Sequence, residues 1–134
     1  MASDSRVNAT EHLIPFVHPP TDTGPFVSAL VLKAPPQTTM LGTCSQIPFS
    51  EYVRLWGETL HVQAKAENYP VDEVVKDLPD GFGIEVAETS LFVEEYGWDG
   101  GEGAKLPWEC GVERGEVMDV ERYFRETDWS AVLG

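Results

Sequence analysis

The chain has 134 residues, 42% of them hydrophobic, and carries 23 Asp and Glu against 9 Lys and Arg, for a formal net charge of -14. That length fits one domain with a single core, and the apolar content is that of a folded chain rather than a disordered one. The acidic excess repels nucleic-acid phosphates and anionic membranes, and no run of about 18 apolar residues offers a membrane span.

Residues 1–11 read as a polar, flexible arm without the apolar stretch of an export signal, followed by a single domain over residues 12–134. Two cysteines, Cys44 and Cys110, are too few for a disulfide framework, so a cytoplasmic protein with reduced thiols is expected. Residues 13–17 form a short apolar run that His18-Pro19-Pro20 stops as an extended segment. Asp22 is a good helix N-cap, with Pro25 still in the first turn. Phe26, Val27, Leu30 and Val31 then follow at helical spacing until Ala34-Pro35-Pro36.

A strand is expected over residues 39–44 and a helix over residues 48–60, where Phe49, Val53, Trp56 and Leu60 share a stripe. Val62, Ala64 and Ala66 alternate with polar residues, the period of a half-buried strand. Val71, Val74, Val75 and Leu78 mark a short helix. Asp80 caps a longer one to Tyr96, which Gly97 ends. Residues 98–115 are a glycine-rich loop. A last helix over residues 119–126 turns Val120, Tyr123 and Phe124 inward, and the tail docks through Trp129 and Leu133. The order implies an α/β or α+β domain with a small sheet of two or three strands, expected to be parallel, and four to five helices.

Several segments together resemble the C-terminal, substrate-side region of NmrA-like proteins of the short-chain dehydrogenase/reductase superfamily. They are Asp22-Thr23-Gly24 leading into a helix, Ser50-Glu51-Tyr52 with Leu55-Trp56-Gly57-Glu58, Glu95-Tyr96-Gly97 closing the long helix, and Thr127-Asp128-Trp129-Ser130. The likeness spans residues 12–134, and its specificity lies in the order of motifs rather than in any one of them. It implies a fold whose N-terminal Rossmann half is absent from this chain, and with it the glycine-rich pyrophosphate turn. Gly81/Gly83 and Gly100/Gly101/Gly103 follow no apolar strand, and no Tyr has Lys four residues on. The chain is therefore not expected to be a self-sufficient NAD(P)-dependent oxidoreductase. No cofactor is expected, and no metal-ligand spacing occurs.

Within that frame the candidate catalytic residues are His18, Asp22 and Tyr96. A histidine oriented by a carboxylate four residues on is suited to general-base work. The bland alternative is a loop histidine beside a helix cap. Tyr96, next to Glu95, offers a hydroxyl, or is simply the last apolar residue of its helix. Trp56, Trp98 and Trp108 are the candidate ligand-contacting aromatics. Trp56 also lies on a core stripe, and the two loop tryptophans either cover a pocket or pin the loop.

The resemblance implies a small-molecule-binding protein of fungal secondary metabolism that performs a redox-neutral isomerisation, cyclisation or dehydration on an aromatic or polyketide-like metabolite. A non-enzymatic NmrA-like regulatory or interaction module is the alternative. Faces orphaned by the missing half would be covered most simply by a homodimer.

Overall fold

The computed structural model describes residues 11–134 apart from Tyr69, Val71, Asp72, Val74, Asp77 and Asp80. Most of the expected N-terminal arm, much of the short helix near Val71 and Val74, and the Asp80 cap therefore lie outside the described residues. The fold is α+β: a two-stranded antiparallel sheet and five α-helices among the described residues.

Strand β1 (Leu13–Phe16) leads into helix α1 (Pro19–Leu32), and strand β2 (Ser45–Pro48) leads directly into helix α2 (Phe49–Leu60). Helix α3 (Phe82–Tyr96) follows, then two short 3-10 turns (Pro107–Cys110 and Arg114–Glu116), helix α4 (Val120–Glu126) and the single turn α5 (Ser130–Leu133).

The parallel pairing expected from the order of elements is not what forms. Segment 33–44 runs back from the end of α1 and re-enters the sheet where β1 leaves it. The N–H of Cys44 bonds the carbonyl of Phe16 at 2.8 Å, and Ser45 pairs with Phe16. From that point β2 can only run the other way, ending with Pro48 opposite Leu13. Buried Thr43 fixes the corner: its hydroxyl oxygen lies 2.8 Å from the carbonyls of both Phe16 and Ser45.

Two expected strands are corrected. In segment 39–44 only Met40 forms a bridge, to Lys105. Residues 62–66 form neither strand nor helix. There the chain leaves α2 through His61 in the left-handed region (φ 57°) and folds back across Gly57. A Cβ on Gly57 would sit 2.8 Å from the Val62 carbonyl oxygen, so this close return requires glycine. The alternating residues there lie against the helix that precedes them instead of pairing in the sheet.

Helix α1 begins three residues earlier than its expected cap. Pro19 and Pro20 occupy the first two positions, where a missing N–H leaves nothing unsatisfied. Asp22 is consequently inside the first turn and reaches back to accept the N–H of His18 at 2.7 Å. By contrast, Gly97 (φ 79°) terminates α3 as expected, and Asp119, expected as the first residue of the last helix, is the N-cap of α4, accepting the N–H of Arg122 at 2.8 Å.

The core gathers Phe26, Ala29, Cys44, Val112, Val117 and Met118, with Phe16, Met40 and Tyr123 at its margin. Beside it α2 packs on α4 through rings. Tyr52 stacks on Phe16 (4.3 Å between centroids) and meets Phe124 edge-on (4.9 Å), and Trp56 meets Trp129 edge-on (5.7 Å). Phe124 is fully buried. The tail docks through Trp129, whose indole N–H donates to the Phe124 carbonyl. Leu133, expected to dock with it, is exposed on the single turn α5.

Candidate functional site

The turn that ends β1 and starts α1 faces α2 and α4 across a cavity of about 260 Å³. Its apolar walls are Phe16, Val17, Pro19, Met118 and Val120, and its polar groups are His18, Cys44, Tyr52 and Tyr123. Each element has a local reason to be there. The prolines fix the entry to α1, the Ser45–Phe16 pairing sets Cys44 beside it, and Asp119 starts α4 so that Val120 and Tyr123 face inward.

Behind the cavity lies Asp22, with no exposed surface. Its two carboxylate oxygens are both engaged: one accepts the N–H of His18 and the other the N–H of Met118, each at 2.7 Å. A buried carboxylate with charge-assisted bonds from two distant backbone segments is a structural tie between α1 and the approach to α4. Asp22 therefore holds the backbone of His18 and not its ring, which differs from the orientation expected from spacing. The ring is held by the next residue of the turn but two, Thr21, whose Oγ1 lies 2.9 Å from Nδ1.

With Nδ1 engaged, Nε2 is the nitrogen left to a ligand. If the Thr21 hydroxyl donates to Nδ1, Nε2 carries the proton and donates. If Nδ1–H donates to Thr21, Nε2 is a base. The His18 ring also lies 5.7 Å from that of Tyr123.

Cys44 lines the same cavity, but burial pushes its thiol up to about 11, and the charge of Asp22 and the S–H bond to that carboxylate act in the same direction. It stays a neutral thiol at ordinary pH and is a poor nucleophile. Burial likewise raises the Tyr52 phenol, and the neighbouring Tyr123 adds to the effect. The cavity thus presents two phenols, one imidazole and a thiol among apolar walls. Among the described residues no carboxylate, Lys or Arg side chain lines it.

The remaining expected site residues lie elsewhere. Tyr96 is half-exposed at the end of α3, where the Glu95 carboxylate accepts its hydroxyl and holds the phenol above its ordinary value. Trp98 pins the glycine loop to β1 by donating its indole N–H to the Leu13 carbonyl at 3.1 Å. It borders a separate hollow of about 510 Å³ with His12, Asp99 and Glu109. Trp108 lies under the Arg114 guanidinium at 3.5 Å, and Trp56 packs on Trp129. His18 and Asp22 are brought together; Tyr96 and the three tryptophans are not brought to them.

A larger hollow, about 800 Å³, is a broad shelf over the end of α2, lined among others by Arg54, Glu58, His61 and Lys65. It encloses no ligand-sized space with converging polar groups, so the smaller cavity at His18 is the better site. Sequence reading missed Tyr52 and Tyr123 there. Tyr123 was expected to face inward and Tyr52 adjoins the stripe of α2, and the available signal was a phenol hydroxyl at each place, which needs a polar partner or an opening.

Among the described residues no group of three or more His, Cys, Asp or Glu is placed to hold a metal ion, and no helix is long and apolar enough to cross a membrane. No family model matches the chain, and neither a curated protein nor a solved structure matches it.

Proposed function

We propose that the chain binds a small, uncharged aromatic metabolite in the cavity at His18, and that His18 moves a proton on it in a redox-neutral step such as an isomerisation or dehydration. The observation that carries this reading is that one histidine and two tyrosines, with the Cys44 thiol, line a mainly apolar cavity. Nε2 of His18 would take or give the proton, while Tyr52 and Tyr123 hydrogen-bond a ligand oxygen on which charge develops. The uncharged walls and the net charge of -14 both disfavour an anionic ligand.

Size narrows the class. A cavity of about 150 Å³ admits benzene, so about 260 Å³ suits one substituted ring or a fused pair rather than an extended polyketide. The resemblance to the substrate side of NmrA-like proteins supports the reading, and a secondary-metabolite ligand agrees with it. Tyr123 touches both the cavity and Trp129, with ring centroids 6.0 Å apart, so ligand entry is expected to change tryptophan emission.

The test is a panel of neutral one-, two- and three-ring phenols and enones, read by melting temperature and fluorescence. One- and two-ring compounds should raise the melting temperature, because a ligand that binds only the folded state stabilises it. A response to three-ring compounds alone, or to none, refutes the reading. His18→Gln should keep binding within a few-fold and abolish turnover; a variant that still turns over removes His18 from the chemistry.

A second reading, the interaction module, is favoured by exposed apolar side chains on α1, where Val27, Leu30, Val31 and Leu32 face outward. From Pro20 to Leu32 the only charged residue is the buried Asp22, so self-pairing there would escape the repulsion between two acidic chains. We place the expected homodimer on this face. A Cβ on Gly24 meets nothing within 4 Å, so Gly24→Leu should leave the fold intact and block close helix pairing. Light scattering that finds only monomer at about 100 µM, or an unchanged dimer in Gly24→Leu, rejects that placement.

A further inference from the structure

Thr21 stands in the first turn of α1, directly after Pro19 and Pro20. A serine or threonine within a helix ordinarily passes its hydroxyl proton to a carbonyl one turn back. Ser90 does so on α3, donating to the Val86 carbonyl at 2.7 Å. At Thr21 that outlet is taken. The carbonyl one turn back is that of His18, and it already accepts the N–H groups of Thr21 and Asp22 at 3.0 and 2.9 Å. Among the described residues the Thr21 hydroxyl has a single hydrogen-bond partner, Nδ1 of His18 at 2.9 Å.

The two arrangements of that contact differ in what they leave over. With Nδ1–H donating, the hydroxyl proton has no acceptor among the described residues. With the hydroxyl donating, its proton and the Nδ1 lone pair satisfy each other. The turn keeps the two groups in this register, because Asp22 accepts the His18 N–H at 2.7 Å and the two prolines fix the chain between. Protonation of the ring leaves the outer nitrogen unchanged. Nδ1–H then donates to the Thr21 oxygen, and Nε2 carries hydrogen in either charge state.

The other polar groups of the cavity are short of acceptors too. The hydroxyls of Tyr52 and Tyr123 have no hydrogen-bond partner among the described residues, so each has a proton to give. The Cys44 S–H is spent on Asp22, whose two oxygens also hold the N–H groups of His18 and Met118.

We propose that Thr21 is a positioning residue that holds His18 as an Nε2–H donor, and that the cavity accordingly selects a ring ketone or enone. The ligand's carbonyl oxygen accepts from Nε2, and the ligand needs no polar hydrogen of its own. An imidazole held this way polarises a carbonyl at the oxygen where charge develops. The ligand class rests on the small-molecule reading of the cavity; the tautomer does not.

Nitrogen-15 NMR of the full chain without ligand reads the tautomer, at a pH where the ring is neutral and with the His18 signals assigned by their loss in His18→Gln. Nε2 should show the shift of a protonated nitrogen and Nδ1 that of an unprotonated one. In Thr21→Val the two shifts should move toward each other as both tautomers populate, whereas Thr21→Ser, which keeps the hydroxyl, should retain the parent values. A protonated Nδ1 in the parent, or parent shifts in Thr21→Val, overturns the role of Thr21. The ligand class is read by titrating the chain with two fused-ring compounds of similar size, 1-indanone, which only accepts, and indole, which only donates. Indanone should bind about tenfold more tightly, the worth of roughly one hydrogen bond, and Thr21→Val should narrow that ratio. Equal binding, or a preference for indole, overturns the ligand class. Binding of neither compound overturns that class together with the cavity reading, and the ring shifts still decide the role of Thr21.

Discussion

In its interior the chain closes polar and apolar groups in together: the fully buried carboxylate of Asp22, its two backbone donors, the thiol of Cys44 and the rings of Phe26 and Phe124. Along α3 the same kinds of side chain face solvent, with aromatic rings and carboxylates exposed and Gly83 and Ala87 as the buried positions. The contrast separates two uses of apolar surface. In the interior it is consumed by packing within the chain, so changes there should act on folding. On α3 it is left over after folding, so changes there should leave stability nearly unaltered.

The sharpest way to break this contrast is at Phe124. Removing a fully buried ring that meets Tyr52, Tyr123 and Trp129 should cost about 3–5 kcal/mol. Urea denaturation of Phe124→Ala measures it, and a loss below about 1 kcal/mol would mean that α4 is not seated as described.

Next comes Asp22→Ala. It leaves the N–H groups of His18 and Met118 without their acceptor and should cost about 3 kcal/mol. Hydrogen exchange at those two amides should speed up selectively. Uniform protection in the variant would contradict the tie between α1 and the approach to α4.

A smaller effect is alkaline. The folded-state thiol of Cys44 titrates near 11, above its ordinary 9.0, so folding favours the protonated form. The resulting stabilisation is complete below pH 9 and is lost as the pH rises from 9 through 11. Melting temperature should fall over that window, and less steeply in Cys44→Ala; identical slopes in the two proteins would remove Cys44 as a cause. The smallest effect is predicted on α3, where Phe92→Ser should change folding stability by no more than about 0.5 kcal/mol. A loss of about 2 kcal/mol or more would show that this ring belongs to the core after all.

Much of the fold was legible where the signal is local. Helix α2 follows the stripe of Val53 and Trp56, Gly97 ends α3 with a positive φ, and α4 forms within residues 119–126. The alternation at Val62, Ala64 and Ala66 misled because period two marks a strand only if a partner edge is present. Here the turn at His61 returns the chain onto its own helix instead. In the site, His18 was legible as a titratable group beside a fixed turn. Tyr52 and Tyr123 were not, since whether a core-patterned phenol meets a ring or a cavity depends on what packs opposite it.

By itself, then, the sequence determined the acidic character, a small sheet with four to five helices, most helix positions and the presence of a histidine at the start of α1. Tertiary structure alone decided that the strands run antiparallel, that α3 presents its large face to solvent, and which donors Asp22 accepts. The last case shows the reason most directly. Spacing reveals that an acidic residue stands near a helix start, but one of its donors, the N–H of Met118, is 96 residues away. Caps, turns and helical stripes arise from interactions within about one turn of chain, which spacing records. Strand direction, exposed faces and buried polar ties arise from contacts between distant segments, and those exist only once the chain has closed on itself.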